Sequence, residues 1–281
     1  MLPFWLSIGV LSLVQAALVA APKAPSPILL RRLRSRWWAL ALPLSIVLVV
    51  SAIALESASA RFLTYLALVA VPPLAAVALG RLMRGARPLL AFAVVPLFAI
   101  AWARQDALSG ETAALALSAL ACLSLGWLVA CVVPGRWLKL GIYVMAAVDA
   151  WLVFSNLLAE PNAVLNAAAP AADLPRLQLA SFGSALMGFG DLFIAATLGA
   201  LLASDRPLQL QGAALAAIIC PTFDLLFFFV DQTPATVPIA LTLAALELRR
   251  DHRGKNTETG DHRRRQRESA DQNRATHRED A

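Results

Sequence analysis

The chain has 281 residues, of which 59% are hydrophobic and only 15% charged, and its mean hydropathy is +0.68. A soluble domain of this length carries far more surface charge, so the composition excludes an ordinary soluble protein. The net charge of +6 does not indicate nucleic-acid binding, because ten of the 24 Lys and Arg residues lie in the last stretch, from Arg249 to Ala281. The predicted partner is the lipid bilayer.

Nine apolar runs follow one another along the chain, and a helix of about 20 such residues crosses a bilayer core. No Lys or Arg precedes the first run, which is therefore expected to be a true span rather than a cleaved signal peptide. The fold class predicted is an all-α, polytopic transmembrane bundle over residues 1–248, with spans 1 to 5 in 1–133 and spans 6 to 9 in 140–248. The predicted spans are Leu2–Ala21, Trp38–Leu55, Phe62–Gly80, Leu89–Ala103, Thr112–Val133, Leu140–Leu158, Ala180–Ala203, Leu210–Val230 and Pro234–Leu248.

Basic residues are concentrated in alternate loops between the predicted spans, and basic loops stay on the cytoplasmic side of a membrane. One set of loops, together with the tail, holds most of the Lys and Arg, whereas the opposite set holds only Arg61, Arg104 and Arg176. This predicts a multi-pass protein of the cell membrane with its N-terminus outside and its C-terminal tail in the cytoplasm. The tail, residues 249–281, mixes ten basic with seven acidic residues and is predicted to be disordered.

Three acids lie inside predicted spans: Asp149 in the sixth, Asp191 in the seventh and Asp224 in the eighth. An acid in a span is costly and normally faces the protein interior. Counted from the outer ends of their spans, Asp149 is about 14 Å deep and Asp191 about 16 Å deep, so their carboxyl groups are expected to meet. Such a pair can activate water for peptide hydrolysis. It can equally serve proton or ion transport, or hydrogen bonding between helices.

The residues before Asp191 read Gly188-Phe189-Gly190, and glycines there allow another backbone to approach closely. Small residues at Ser184, Gly188, Ala195 and Gly199 form a stripe that favours tight helix packing. Taken alone, the four-residue motif is compatible with packing only.

Gly188-Phe189-Gly190-Asp191 resembles the G-x-G-D motif of the presenilin and signal peptide peptidase family of intramembrane aspartyl proteases. The resemblance extends to the acid-bearing span before it, to the number of spans, and to Thr233–Leu241, which is similar to the family's Pro-Ala-Leu region. It covers roughly Gly141–Leu246, and the first five spans match in number and hydrophobicity only. Two positions depart from the family pattern. Val148 stands where Tyr is usual, and Pro234-Ala235 is followed by Thr236.

The resemblance implies a presenilin-like fold and an endopeptidase that cleaves transmembrane helices, with Asp149 and Asp191 as the catalytic pair. A helical substrate must be partly unwound before water can attack it, because helical amides are hydrogen-bonded and shielded. The resemblance also implies a set of motif or substrate-binding residues, which are Gly188, Phe189, Gly190, Pro234, Ala235, Thr236 and Pro238.

Two further polar residues are candidates for the lining of a cavity. Asp224 lies three residues after Pro221, so it is expected either to bond backbone groups freed by a proline kink or to line the cavity as a third acid. Asn156 lies seven residues after Asp149, so it is expected either to bond water in the cavity or to mark the membrane edge.

Metal and cofactor chemistry is not predicted for the membrane domain. The histidines, at positions 252, 262 and 277, are all in the tail, so a zinc site or a Ser/His pair cannot form in the spans. Cys122, Cys131 and Cys220 are expected to be buried apolar residues. The rival functional class is a multi-pass transporter or a non-enzymatic scaffold that uses its acids structurally. The sequence does not indicate an oligomeric state.

Overall fold

The computed structural model describes residues 3–25, 34–40, 42–44, 47, 51, 57–105, 107–157, 163–164, 174–230 and 232–250. These residues are mainly helical. In chain order the elements are α1 (Phe4–Ala20), a 3-10 helix (Arg36–Leu40), α2 (Ser57–Val77) with a π-helical end (Ala78–Leu82), a 3-10 turn (Pro88–Ala93) leading into α3 (Val94–Ala103), α4 (Leu108–Val132), α5 (Gly135–Phe154), β1 (Leu179–Phe182), β2 (Ala185–Gly188), α6 (Phe189–Leu202), α7 (Arg206–Asp224) with a 3-10 end (Leu225–Phe228), and α8 over residues 237–250.

Four helices of the described chain are long and apolar enough to cross a membrane. They span 20 to 25 residues and cover Arg61–Leu82, Leu108–Val132, Gly135–Phe154 and Arg206–Phe228. Three shorter apolar helices cover Phe4–Ala20, Pro88–Ala103 and Phe189–Leu202. The prediction of a mainly helical chain is therefore confirmed, and four of its helices are compatible with a membrane protein. Most of the predicted second span and residues 251–281 of the tail lie outside the described residues.

The predicted seventh span, Ala180–Ala203, is wrong as a continuous helix. Its first part is a β-hairpin in which Leu179 pairs with Gly188 and Phe182 pairs with Ala185, antiparallel. Gly183 opens the two-residue turn with φ at +59°, a conformation that glycine adopts readily and that the first position of a type II′ turn requires. The helix begins only at Phe189, so Asp191 lies in its first turn and not in the middle of a span.

α6 is the central helix, and small residues let its neighbours approach it closely. Ala195, Ala196 and Ala200 are fully buried. A Cβ added at Gly199 would lie 2.5 Å from the carbonyl oxygen of Leu18 in α1, and one added at Gly126 of α4 would lie 2.6 Å from the amide nitrogen of Thr197. Close approach at Gly199 and burial of Ala195 confirm the packing role predicted for these two members of the small-residue stripe.

Hydrogen bonds join neighbouring segments at each of the two ends of the bundle. At one end, the amide of Lys23 donates to the carbonyl of Leu82 at 2.8 Å, and the Arg206 guanidinium donates to the carbonyl of Ala20 at 2.7 Å. At the other end, the amide of Gly183 donates to the Glu111 carboxylate at 2.7 Å. The first end gathers basic loops of the set predicted to be cytoplasmic. The hairpin tip lies at the opposite end.

Candidate functional site

Asp149 is held near the C-terminal end of α5 by a threonine from another segment. Its carboxyl oxygen Oδ2 accepts a 2.6 Å hydrogen bond from the Thr236 hydroxyl and a longer one, 3.4 Å, from the Thr236 amide. Both side chains are buried, with 5% of Asp149 and 1% of Thr236 exposed. Because α5 ends at Phe154, Asp149 lies five residues from the helix end, or about 8 Å, which is shallower than predicted.

Asp191 is held by the turn that joins the hairpin to α6. Its Oδ2 accepts a 3.1 Å hydrogen bond from the amide of Gly188, the residue that caps the helix. An acid in the first helical turn also interacts favourably with the positive end of the helix dipole. The side chain is only half-buried, so it remains accessible from the surface of the described chain.

The helices that carry the two acids adjoin each other. α5 and α6 meet where Gly190 faces the end of the Met145 side chain, because a Cβ added at Gly190 would lie 3.8 Å from the Met145 methyl group. Asp149 and Asp191 come from these two adjoining helices. The two acids therefore lie on neighbouring helices, one buried and one half-buried, and their pairing stays a prediction.

Gln15 is a site residue that the sequence reasoning missed. It lies on α1, is 1% exposed, and its side-chain nitrogen faces two backbone carbonyls, that of Ala235 at 3.3 Å and that of Asp191 at 3.5 Å. It therefore links the segment that carries Thr236 to the turn that carries Asp191. The sequence did contain a signal for Gln15, because a polar amide inside an apolar run is as unusual as an acid there.

The segment from Pro234 to Pro238 leads into α8, which begins at residue 237. The amide of Val237 donates to the carbonyl of Pro234 at 3.1 Å, and the amide of Ala240 donates to the carbonyl of Thr236 at 3.2 Å. Proline is well tolerated in a first helical turn, where its missing N–H would have no partner in the helix. Pro234 and Pro238 are buried, and Ala235 is half-buried. Their visible role is to present Thr236 to Asp149.

The remaining predicted residues lie elsewhere. Phe189 is half-buried, and its carbonyl accepts a 3.5 Å contact from the Cys122 thiol, which is itself buried like the other two cysteines. Asn156 is exposed in the turn after α5 with φ at +57°, a position that fits the membrane edge and not a cavity. Asp224 accepts a short hydrogen bond from the hydroxyl of Ser12 in α1, so its partner is a side chain and not backbone freed by a proline kink.

Comparison of the chain with protein-family models, with curated proteins and with solved structures finds no match. Within the described residues, no group of three or more His, Cys, Asp or Glu side chains is arranged to hold a metal ion. Chemistry at the site is therefore derived from its own groups. Two neighbouring carboxyls can exchange a proton with a water between them, which is the elementary requirement for acid–base hydrolysis.

Proposed function

We propose that the protein is an intramembrane aspartyl endopeptidase that hydrolyses peptide bonds in transmembrane helices. The observation that carries this proposal is that the two helices that hold Asp149 and Asp191 meet at Gly190 and Met145. Supporting it are the hydrogen bonds that orient each carboxyl separately, from Thr236 to Asp149 and from Gly188 to Asp191. Buried acids that have no charge partner are costly in a membrane, so their retention as a pair favours a chemical role.

The reaction needs one carboxyl ionised and the other protonated. The ionised carboxylate takes a proton from water while the oxygen of that water attacks the scissile carbonyl carbon, and the protonated acid donates its proton to the carbonyl oxygen. Collapse of the tetrahedral intermediate then breaks the C–N bond, and the leaving nitrogen takes up a proton from the pair. The Thr236 hydroxyl donates to Asp149 and so fixes the orientation of that carboxyl in the proposed pair.

The hairpin offers a place for an unwound substrate next to Asp191. In β2 the side chains of Ala185 and Met187 are buried, whereas Leu186 and Gly188 are exposed on the opposite face. β2 pairs with β1 along one edge only, in a two-stranded sheet of the described chain. A strand edge supplies the backbone hydrogen bonds that a helix loses when it unwinds. Substrate extended along β2 would place a peptide bond close to Asp191.

The number of spans and their orientation in the membrane are part of the same proposal. We infer a presenilin-like bundle of about nine spans, with the N-terminus outside the cell and the C-terminus in the cytoplasm. The clustering of Lys23, Arg84 and Arg206 at one end of the bundle supports the orientation. The site then lies nearer the outer membrane surface, on the side of the hairpin tip.

One observation favours the rival class, a membrane scaffold held together by its acids. Each of the three acids has a hydrogen-bond partner within the protein: Thr236 for Asp149, Gly188 for Asp191 and Ser12 for Asp224. The bonds from Thr236 and Ser12 join distant segments, as helix-linking acids require, whereas the bond from Gly188 caps the helix that carries Asp191. The scaffold and the enzyme differ in what happens when an acid is replaced by its neutral isostere.

The deciding experiment compares Asp149→Asn, Asp191→Asn and Asp224→Asn in proteoliposomes that contain a transmembrane-helix reporter. The endopeptidase proposal requires that the first two variants lose cleavage and lose labelling by an aspartyl transition-state analogue while keeping their thermal stability. Asp224→Asn is the matched control, because Asp224 is also a buried acid but bonds Ser12 instead. Cleavage that persists in Asp149→Asn or Asp191→Asn would reject the two acids as the catalytic pair. No cleavage by the parent chain, with equal loss of stability in all three variants, would favour the scaffold.

A further inference from the structure

A second polar cluster lies at the basic end of the bundle, away from the acids. Its centre is Gln209, which is fully buried in the first turns of α7. The amide nitrogen of Gln209 donates to the carbonyls of Pro22 and Gly199 at 3.0 and 3.1 Å. Because the nitrogen is occupied in this way, the amide oxygen is fixed in the opposite direction.

That oxygen accepts from two arginines at once. Nη2 of Arg84 and Nη1 of Arg206 each lie 2.9 Å from Oε1 of Gln209. The two guanidinium groups thus share one acceptor oxygen and lie close to each other. Arg84 also donates to the carbonyl of Ala203 at 3.1 Å, and Arg206 donates to that of Ala20 at 2.7 Å. These carbonyls belong to the C-terminal ends of α6 and α1, where the helix dipole attracts positive charge.

The partners found for both guanidinium groups within the described chain are neutral. Burial and, to a smaller extent, the nearby charge of Arg206 lower the pKa of Arg84. The nearest acid along the chain, Asp205, uses its Oδ1 to accept from the amide of Leu208 and so caps α7. Carbonyl and amide oxygens hold the arginines in place but do not neutralise two full charges.

Several donors of the pair remain for an external ligand. Within the described chain, the bonds formed by Arg84 use its Nε and Nη2, and those formed by Arg206 use its Nη1. These bonds do not use Nη1 of Arg84 or Nε and Nη2 of Arg206. Both side chains are only half-buried. Planar guanidinium groups with such donors match the oxygen atoms of phosphate.

We propose that Arg84 and Arg206 form a binding site for a phosphate-bearing anion at the membrane surface. Arg84 lies two residues beyond the apolar helix that ends at Leu82, and Arg206 is the first residue of the next apolar helix that follows α6. The pair therefore lies at the level of lipid headgroups. The ligand is the phosphate of an anionic lipid or a free phosphate of the same chemistry. When bound, it neutralises the pair and tightens the ends of α1, α2, α6 and α7 against one another.

The test uses the full chain in nanodiscs of phosphatidylcholine with or without phosphatidylglycerol. We expect anionic lipid to raise the thermal stability, and native mass spectrometry to find phosphatidylglycerol retained in preference to phosphatidylcholine. Arg84→Gln and Arg206→Gln should each lower that retention about tenfold, the loss expected for a charge-assisted contact. Arg87→Gln is the matched control, because Arg87 is exposed in the same loop and its side chain takes no part in the cluster.

A second variant keeps the test decisive if loss of an arginine unfolds the helix ends. Gln209→Glu supplies a negative charge from inside the cluster, so it should reduce retention of the anionic lipid while both arginines stay in place. Inorganic phosphate added at constant ionic strength separates the two ligand sources: competition indicates a small-anion site, and no competition indicates a headgroup site. Equal retention in the parent, Gln209→Glu and both arginine variants, with no stabilisation by either anion, would overturn the proposal.

Discussion

The Thr236 hydroxyl donates a 2.6 Å hydrogen bond to Oδ2 of Asp149, across 87 positions of the sequence. This bond connects the start of α8 to the end of α5, and both side chains are almost completely buried. In the sequence, Thr236 departs from the Pro-Ala-Leu pattern that implies substrate binding. In the structure it is the group that orients one acid of the candidate pair.

Replacement of Thr236 by valine removes this hydroxyl without changing the shape of the side chain. A hydrogen bond to a charged group contributes about 1.5–3 kcal/mol. If Asp149 is ionised in the reacting enzyme, kcat for the helix reporter should fall about 10- to 100-fold. Thr236→Ser keeps the hydroxyl and should retain most of the rate. Equal rates in the valine and serine variants would show that the bond has no role in catalysis.

The two glycines of the motif should differ in sensitivity to alanine. A Cβ at Gly188 would lie 3.0 Å from Oδ2 of Asp191, whereas a Cβ at Gly190 would meet only the flexible end of Met145 at 3.8 Å. The backbone of Gly188, at φ −66° and ψ 147°, suits any residue, so displacement of the carboxyl is the expected cause of loss. Misplacement of a reacting group by about 1 Å costs up to about 100-fold in rate.

We therefore expect Gly188→Ala to lower the initial rate of cleavage by about tenfold or more. Gly190→Ala should retain most of that rate. Initial rates in proteoliposomes, compared with thermal stability, measure both effects. A more severe defect in Gly190→Ala than in Gly188→Ala would contradict the geometry described for Asp191.

Gln15 should act as a positioning residue, since it bonds the backbone on both sides of the site and not the carboxyls themselves. Gln15→Met removes the donor and preserves the volume. We expect kcat to fall about tenfold, as for loss of one or two neutral hydrogen bonds, with KM nearly unchanged. A purely structural role would instead reduce the fraction of folded protein and leave kcat per folded molecule intact.

Packing of α1 against α6 depends on Gly199, and this predicts a stability effect that is independent of catalysis. A Cβ there would lie 2.5 Å from the carbonyl oxygen of Leu18, so Gly199→Ala should destabilise the protein by about 1–3 kcal/mol. Gly9→Ala, on the partner helix α1, is the control, because a Cβ at Gly9 meets nothing within 4 Å. Unfolding in detergent should separate the two variants. Equal stability would mean that the helices are less tightly packed than described.

Hydrophobicity alone predicted most helices of the described chain, because a bilayer leaves a spanning segment little choice but a helix. α1, α4 and α7 begin and end within a few residues of the predicted spans. Polar exceptions in apolar runs likewise singled out Asp149 and Asp191, which lie on adjoining helices in the structure. Both signals depend on the residue types within a segment and not on the residues that pack against it.

The hairpin could not be predicted in that way, because Leu179–Phe182 and Ala185–Gly188 are as apolar as a helix would be. Strand pairing satisfies the same backbone groups within the protein, and hydropathy does not distinguish the two solutions. Gly183-Ser184 was the local clue, since a glycine that opens a two-residue turn is typical of a hairpin. Partners distant in the sequence, such as Ser12 for Asp224, are set by packing and carry no local signal.

The shared site of Asp149 and Asp191 is tested most directly by cross-linking. Asp149→Cys and Asp191→Cys are combined in a background with Cys122→Ala, Cys131→Ala and Cys220→Ala, and the membranes are treated with a short bifunctional thiol reagent. The account predicts an efficient cross-link within one chain. It also predicts none when Asp149→Cys is paired with Leu90→Cys, which lies near the opposite end of the bundle. Absence of the first cross-link in folded protein, or equal yields for both pairs, would contradict it.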